Sequence, residues 1–518
     1  MVDLPSTSAS GVGMPVPGSA EELRRFAQIQ ERLAPLFRRV FPYPRAPRTV
    51  VVVPSLSLDA EELAKISGVH HYEERMLCML MLLRMPRTHV VFVTSQPIAT
   101  PIVDYYLHLL PGVPFRHARR RLTLLSCHDA SELPLTQKIL ERPRLLGRIW
   151  SAIPDPDTAH ITCFNSTPLE RTLAVKLDIP LYANDPALAH LGSKSGGREV
   201  FRETGVRMPE GFEHLRDEGD LIEAIAELKR RRPEVGRVVT KLNEGFSGEG
   251  NAIFPCEDAP DGRDLARWVR DELPRRIRFE ASGETWERYC HKLAEMGGVV
   301  ERFLEGGEEV RSPSVQCRID PLGQISIVST HDQVLGGPSG QIFLGSTFPA
   351  DAEYSRDIQE AGRRVAEVLK QRGALGRFAI DFLSIKREGS WEHAAIEINL
   401  RKGGTTHPYL MLQFLTDGTY DPENGLYCTP IGQPCYYYAS DNLWSPAYKG
   451  LTPEDLVDIS VDFGLHFDGA SQQGVVFHLI GALSEYGKLG TVCIGGSRES
   501  SEKFYREAVA VLDREARL

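Results

Sequence analysis

The hydrophobic pattern changes period several times along the chain. "RTVVVVPSLSLD" (Arg48 to Asp59) and "HVVFVTSQPI" (His89 to Ile98) are short β-branched runs closed by turn residues. Between them lies "MLCMLMLL" (Met76 to Leu83), bounded by Glu74, Arg75 and Arg84. It is far short of the ~20 residues of a membrane span and predicts a buried helix. Strand, helix, strand is a βαβ pattern and implies a parallel sheet. "HITCFNST" followed by "PLERTLAVKLDIPLYAND" (His160 to Asp185) repeats the arrangement, so a Rossmann-like lobe is expected over residues 21–190. No GxGxxG follows its first strand, which leaves dinucleotide binding unsupported and suggests a scaffold and substrate platform.

From Lys194 the texture becomes mixed, with a helix, strands with Gly-rich turns from Val238 to Phe254, a strand near Val299 to Phe303 and a long β region from Ser314 to Phe348. A helix is expected at about 354–372. Two strands, "GRFAIDFLSI" and "WEHAAIEINL", follow as a hairpin joined by the five residues "KREGS". The expected class is therefore α/β plus α+β in several domains, the second spanning 191–424. Residues 425–518 carry "CYYYASDNLW", "GVVFHLIGAL" and a helix at 498–516, and predict a separate small cap. The aromatic run there fits either a peptide site or, more commonly, core. Residues 1–20, rich in Ser, Gly and Pro, predict disorder.

At 518 residues and 42% hydrophobic content the chain is long enough for about two to four domains. A net charge of -10 and a pI near 5.9 argue against a nucleic-acid surface, which needs clustered cations. The runs Arg119–Arg121 and Lys229–Arg232 read as solvated faces. Nine cysteines without a CxxC pair, and no exporting leader or membrane span, point to the cytoplasm.

Chemistry concentrates in "AIEINLRKGGTTHP", Ala395 to Pro408. Alternation on a strand puts Glu397 and Asn399 on one side, with Ile396, Ile398 and Leu400 on the other. Across the hairpin Asp381 falls opposite Ile396 or Glu397. Two carboxylates and an amide oxygen form a hard ligand set that suits Mg2+; a polar strand edge facing solvent fits the same spacing. "VVTKLNEGFSGEGNAIF" (Val238 to Phe254) delivers Lys241 and then turns through Gly245, Gly248 and Gly250. Such glycines let backbone N–H groups approach phosphate, although an ordinary glycine hairpin looks alike. "GGVVERFLEGGEEVRSPSVQ" (Gly297 to Gln316) places Glu301 at a strand end, a bend at Phe303 and Leu304, and Glu308 after a Gly pair. That bend is able to read an adenine edge and the later acid a ribose, unless the loop merely carries solvated acids.

The order of lysine and glycine loop, hinge glutamates, Asp, then Glu-x-Asn and Arg resembles the ATP-grasp carboxylate–amine ligases over about residues 190–415. "DQVLGGPSGQIFLGSTFPA", "SPSVQ", "INLRKGGTTHP" and "HLIGALSEYGKLG" look, more closely, like the peptide ligase family typified by the pheganomycin ligase. The resemblance implies a pre-ATP-grasp lobe, an ATP-grasp core and a C-terminal ligase domain. It implies that Lys194 and Lys241 touch the ATP phosphates, that Glu301, Phe303 and Leu304 hold adenine, and that Glu308, or Glu309 after a one-residue shift, holds ribose. Asp381, Glu397 and Asn399 would bind Mg2+, with Mn2+ able to substitute, and Arg401 would steady the transferred phosphoryl group. Small-molecule or peptide carboxylates and amines are the implied partners, and a homodimer is compatible.

A lid over the acyl phosphate is expected from Gly245, Gly248, Gly250 and the loop Leu335 to Gly340, while Gln341 and Arg311 are candidates for the substrate pocket. His331 has no assigned role, and His407 either assists the substrate or is structural. The rival readings are an ATP-binding scaffold without turnover and a small-metabolite kinase.

Overall fold

Four parallel strands form the first sheet of the computed structural model, which describes residues 14–57, 63, 68–245, 250–260, 262–281, 283–336 and 342–517. They are Arg48–Val53, Thr88–Thr94, Leu122–Ser126 and Ala159–Cys163, arranged third, second, first, fourth. Val50 and Val52 enter one core with Met76 to Leu83, whereas Val51 and Val53 enter another with Leu173 and Val175. Burial on both faces is why the first strand is a run of valines instead of an alternating pattern. The apolar run Met76 to Leu83 is helical, within a segment Val69–Arg84 wound as 3-10 turns.

Residues 14–19, expected to be disordered, belong to the described structure and end at Ser19, whose hydroxyl accepts from Glu22 N and caps the helix Ala20–Glu31. Residues 1–13 lie outside the described residues.

The strands Gly211–Leu215, Gly298–Arg302, Arg237–Leu242, Asn251–Pro255 and Arg278–Phe279, in that spatial order, make a five-stranded antiparallel sheet. It shares a core of Leu221, Ile225, Val238, Phe254 and Leu273 with the helices Glu218–Arg231 and Leu265–Arg276. A nine-stranded antiparallel sheet follows. Its path runs through Glu309–Arg311, Gly376–Arg387, Pro313–Ile319, Ile325–Gly336, Ile342–Phe348, Tyr436–Trp444, Lys488–Gly495 and Gly474–His478, with Ser390–Asn399 paired to Gly376–Arg387.

The path extends the sheet into the segment expected as a separate cap. Tyr436–Trp444 pairs with Ile342–Phe348, Tyr438 opposite Thr347, so residues 425–518 share their sheet with the preceding domain. Within "CYYYASDNLW", Tyr437 is core: its ring stacks 5.0 Å from Phe348, and its hydroxyl lies 2.6 Å from His331 Nε2. Burial pushes the His331 imidazole down to about 3, which makes it a neutral packing group. Among the described residues no helix is long and apolar enough to cross a membrane.

Two local features set up the site. The hairpin turn expected to take five residues takes two, Glu388 and Gly389, with φ of 50° and 75°. Such a turn matches the twist of its strands, which run on until Arg387 faces Ser390. The helix Lys194–Thr204 starts at Ser193, whose Oγ accepts from Gly196 N at 3.0 Å. A Cβ on Gly196 would stand 2.0 Å from the His190 carbonyl oxygen, so only glycine permits this close entry of the chain into the helix.

Candidate active site

In the hairpin, Asp381 faces Glu397. A bulge follows, in which Phe382 pairs with Ala395 and Ile396 is the extra residue. Bulges re-aim side chains; Ile396, expected to pack behind the strand, lines the cavity instead, while Ile398 stays buried. Asn399 Nδ2 donates to Asp381 Oδ2 and to Glu397 Oε1, each at 2.9 Å. The three side chains grouped by the sequence therefore converge. An amide turned by half a revolution presents oxygen at the same place, so the donor set fits a hard divalent cation. Burial raises the Asp381 carboxyl, opposed by hydrogen bonding to Ser314 and by the charge of Lys194.

Lys194, the first helical residue, forms an ion pair with Glu397. Burial, then the Lys241 ammonium, lowers Lys194 to about 7. Lys241 projects from Arg237–Leu242 and its Nζ sits 2.7 Å from Glu301 Oε2. Arg198, one turn beyond Lys194, places Nη1 2.6 Å from Glu301 Oε1. Burial alone would raise the Glu301 carboxyl, but Lys241 and Arg198 outweigh it and hold it below the usual range. Its carboxylate thus braces the two cations, where the sequence reading had given it to adenine.

All of these groups except Arg198 line a cavity of about 1020 Å³ between the five- and nine-stranded sheets. Its apolar wall includes Pro209, Val239, Phe303, Leu304 and Leu383. Arg401 also lines it, with Nη1 donating to the Lys402 carbonyl at 2.9 Å and its guanidinium 5.9 Å from the Phe164 ring. Burial lowers Arg401. Gly245, Gly250 and Arg311 stand on the wall. Gly248, Gln341 and residues 337–340 of the loop Leu335 to Gly340 lie outside the described residues.

The placement departs from one expected role, that of Glu308, and bears on one left open, that of His407. Glu308 is exposed and stands off the cavity wall, its N–H donating to the Lys386 carbonyl, and Glu309 is paired with Arg311; Glu305 lines the cavity in their stead. The backbone turns at Gly306 and Gly307, both with positive φ (79° and 99°), which rotates the following acids away. His407 is buried behind the wall, with Nδ1 3.0 Å from the Arg75 carbonyl oxygen and its ring 4.4 Å from His478. Burial pushes it down to about 4, which suits the structural alternative.

Sequence reasoning missed Arg198, although its position four residues after Lys194 on a helix was a usable signal. It also missed Tyr72, Arg75, Asp441 and Lys488, which line the cavity from the first lobe and the C-terminal segment. No local pattern marks those four.

Comparison with known proteins agrees with this geometry. The family model of the IQCH-like ATP-grasp domain matches residues 186–259 and 265–423, and that of the PGM1 C-terminal domain matches 455–508. The L-propargylglycine–L-glutamate ligase of Streptantibioticus cattleyicolor is 31% identical over 471 residues, covering 90% of this chain and 94% of that protein. IQ motif-containing protein H of Danio rerio is 24% identical over 443 residues, 77% of this chain and 41% of that protein. Among solved structures, biotin carboxylase from Campylobacter jejuni superposes with a TM-score of 0.54 at 12% identity, covering 90% of this chain and 91% of that one. An N5-carboxyaminoimidazole ribonucleotide synthetase bound to ADP gives 0.52 at 12% identity, covering 90% and 98%. These two likenesses speak for the fold. The chain belongs to the ATP-grasp carboxylate–amine ligases, which use ATP with Mg2+ to join a carboxylate to an amine.

Proposed function

We propose that ATP lies between the two antiparallel sheets, with adenine against Phe303 and Leu304 and the phosphates at Lys194 and Lys241. Glu305, the acid of that stretch facing the cavity, takes the ribose role expected of Glu308. Asp381, Glu397 and Asn399 hold Mg2+, and Arg401 holds the transferred phosphoryl group. The Streptantibioticus relative is named for two amino acids, which supports amino acids as both substrates here. A family match over 186–259 and 265–423 supports a functional unit at 191–424, and one over 455–508 a further unit within 425–518 that shares its sheet; the parallel sheet of the first lobe supports a unit at 21–190, and nine free thiols suit the reducing cytoplasm.

An oxygen of the substrate carboxylate attacks the γ-phosphorus of ATP, the bond to ADP breaks, and an acyl phosphate remains. An amine then displaces phosphate to form the amide. Bound Mg2+ supplies positive charge at the phosphate oxygens. Phosphoryl transfer depends on positioning and charge neutralisation, and this chain's cations do that work. Lys194 exchanges Glu397 for a phosphate oxygen, while Lys241 stays aligned by Glu301. Arg401 meets the charge that develops on the transferring group, and the apolar wall excludes water from an intermediate that hydrolyses readily.

The observation that carries the reading is the convergence of Asp381, Asn399 and Glu397 beside Lys194. Glu397→Gln keeps the strand and removes a charge, and the expected loss of turnover is about a thousandfold or more, with an unchanged circular dichroism spectrum. Wild-type turnover in that variant refutes the assignment. A phosphate-release screen over pairs of acids and amines identifies the substrates.

A further inference from the structure

The cavity continues past the acidic hairpin to charges that the steps above leave unused. Tyr72 and Arg75 stand on the helical segment Val69–Arg84, Asp441 and Asn442 on Tyr436–Trp444, and Lys488 opens Lys488–Gly495. The pairing of the last two strands is irregular between Ser440 and Leu443, and such a break frees Asp441 and Asn442 to face the cavity. Arg75 pairs with Asp441 through Nη2 and Oδ2, with side chains only 12% and 11% exposed. The Arg75 guanidinium sits 4.2 Å from the centroid of the Tyr72 ring, and Lys488 Nζ donates to the Tyr72 hydroxyl at 2.6 Å. Asp441 reaches the loop that follows Arg401, because a Cβ on Gly404 would stand 3.7 Å from Asp441 Oδ2. The cluster therefore adjoins the site of phosphoryl transfer.

We infer that this cluster is the acceptor subsite and that it binds a zwitterionic α-amino acid, whose amine attacks the acyl phosphate. The inference rests on the reading that the acyl phosphate forms beside Arg401. Two cations and one anion complement such a ligand: its carboxylate takes Arg75 and Lys488, its ammonium takes Asp441. A planar guanidinium binds carboxylate through two parallel hydrogen bonds. Arg75 and Asp441 satisfy one another in the structure, and a zwitterion offers the same two charges in reverse. Both residues then change partner without leaving a buried charge alone, which would be costly. An amine lacking the carboxylate leaves Arg75 and Lys488 without a counter-charge, and sites built on such pairing discriminate strongly.

The nitrogen lone pair forms the C–N bond as the C–O bond to phosphorus breaks, and that electron pair leaves with phosphate. Of the two protons shed by the ammonium, one departs on hydrogen phosphate and the other passes through the Asp441 carboxylate to water.

The test uses the full chain with ATP, Mg2+ and the acid found by the phosphate-release screen. Acceptors are the proteinogenic L-amino acids, their decarboxylated amines, and hydroxylamine, which traps an acyl phosphate as a hydroxamate and has no carboxylate. In the wild type, an amino acid is preferred over its decarboxylated amine by about a hundredfold in kcat/KM. Lys488→Gln and, independently, Asp441→Asn raise the KM for the amino acid about tenfold or more. The KM values for ATP and for the acid hold, and hydroxamate still forms. A raised KM for the acid with loss of hydroxamate assigns the cluster to the donor and overturns the inference, as does equal use of the decarboxylated amine. Absence of hydroxamate from the wild type with every acid tried strikes instead at the acyl-phosphate reading beneath it.

Discussion

Binding of ATP with Mg2+ should draw a proton from solution, and Lys194 should be its destination. Burial and the neighbouring Lys241 bring the Lys194 ammonium to about 7, where a free lysine side chain stays near 10.4. A phosphate oxygen in contact favours the charged form and restores it. The Glu397 carboxylate paired with Lys194 works against burial and Lys241, so uptake is a fraction of a proton, smallest near pH 6 and growing toward pH 8. The sign follows from the lowered value: the unliganded site prefers the neutral amine above about pH 7, so affinity weakens as pH rises. Recharging near pH 8 costs at most about 1.4 kcal/mol, or about tenfold in affinity relative to pH 6. Asp381, raised by burial, gives up any proton it holds when the cation binds, which opposes the effect only toward acid pH. Calorimetry in buffers of differing ionisation enthalpy measures the uptake directly. Lys194→Arg keeps the charge at every pH used and removes the uptake. No net uptake near pH 8 in the wild type, or an equal uptake in the arginine variant, sinks the assignment of Lys194 to the phosphates.

Glu301→Gln leaves the Lys241 ammonium, 8% exposed, without its carboxylate, while Arg198 keeps Glu213 at 3.1 Å; a loss of about 3 kcal/mol is expected, and an unmoved urea midpoint would contradict it. Acid should unfold the protein steeply, because burial lowers His160 and His331 to about 3 and His407 to about 4. Their stability contribution is complete above the ordinary histidine value near 6.5 and is lost as pH falls toward the lowered values. Between about pH 6 and 5 the three together remove about 4 kcal/mol per pH unit, and a flat urea midpoint across that window would show they are not buried neutral. Chelation of divalent cations should stop turnover, with Mn2+ restoring it; full activity in excess chelator would remove the metal role from Asp381, Glu397 and Asn399.

What was legible in the sequence was local. Asp381 and Glu397 belong to one hairpin, and the register of a hairpin follows from its turn and the alternation of its strands. The bulge at Ile396 was not legible, since an inserted residue leaves composition and spacing unchanged. That Glu308 stands off the wall was not legible for a related reason: the conformations of Gly306 and Gly307, free to take either sign of φ, decide which acid faces the cavity. The C-terminal strands failed differently, because a pairing such as Tyr438 with Thr347 joins residues some ninety positions apart and carries no periodic signature.

The same distinction separates the two halves of the site. The groups proposed for nucleotide and metal, with the arginine that braces them, sit on short spacings, Lys194 with Arg198 on one helix and Glu397 with Asn399 on one strand, and each pair is positioned by its own element. Arg75, Asp441 and Lys488 meet only because the first lobe, the large sheet and its C-terminal extension close on one another. A motif constrains the first group wherever the fold recurs. The second is set by packing among three segments, so it is free to change with the substrate while phosphoryl transfer stays as it is. Specificity should therefore vary among relatives chiefly at Tyr72, Arg75, Asp441, Asn442 and Lys488. Exchanging those side chains for a relative's should move the preferred amine and leave the KM for ATP in place; a change in the KM for ATP alone would mean that the two halves are not independent.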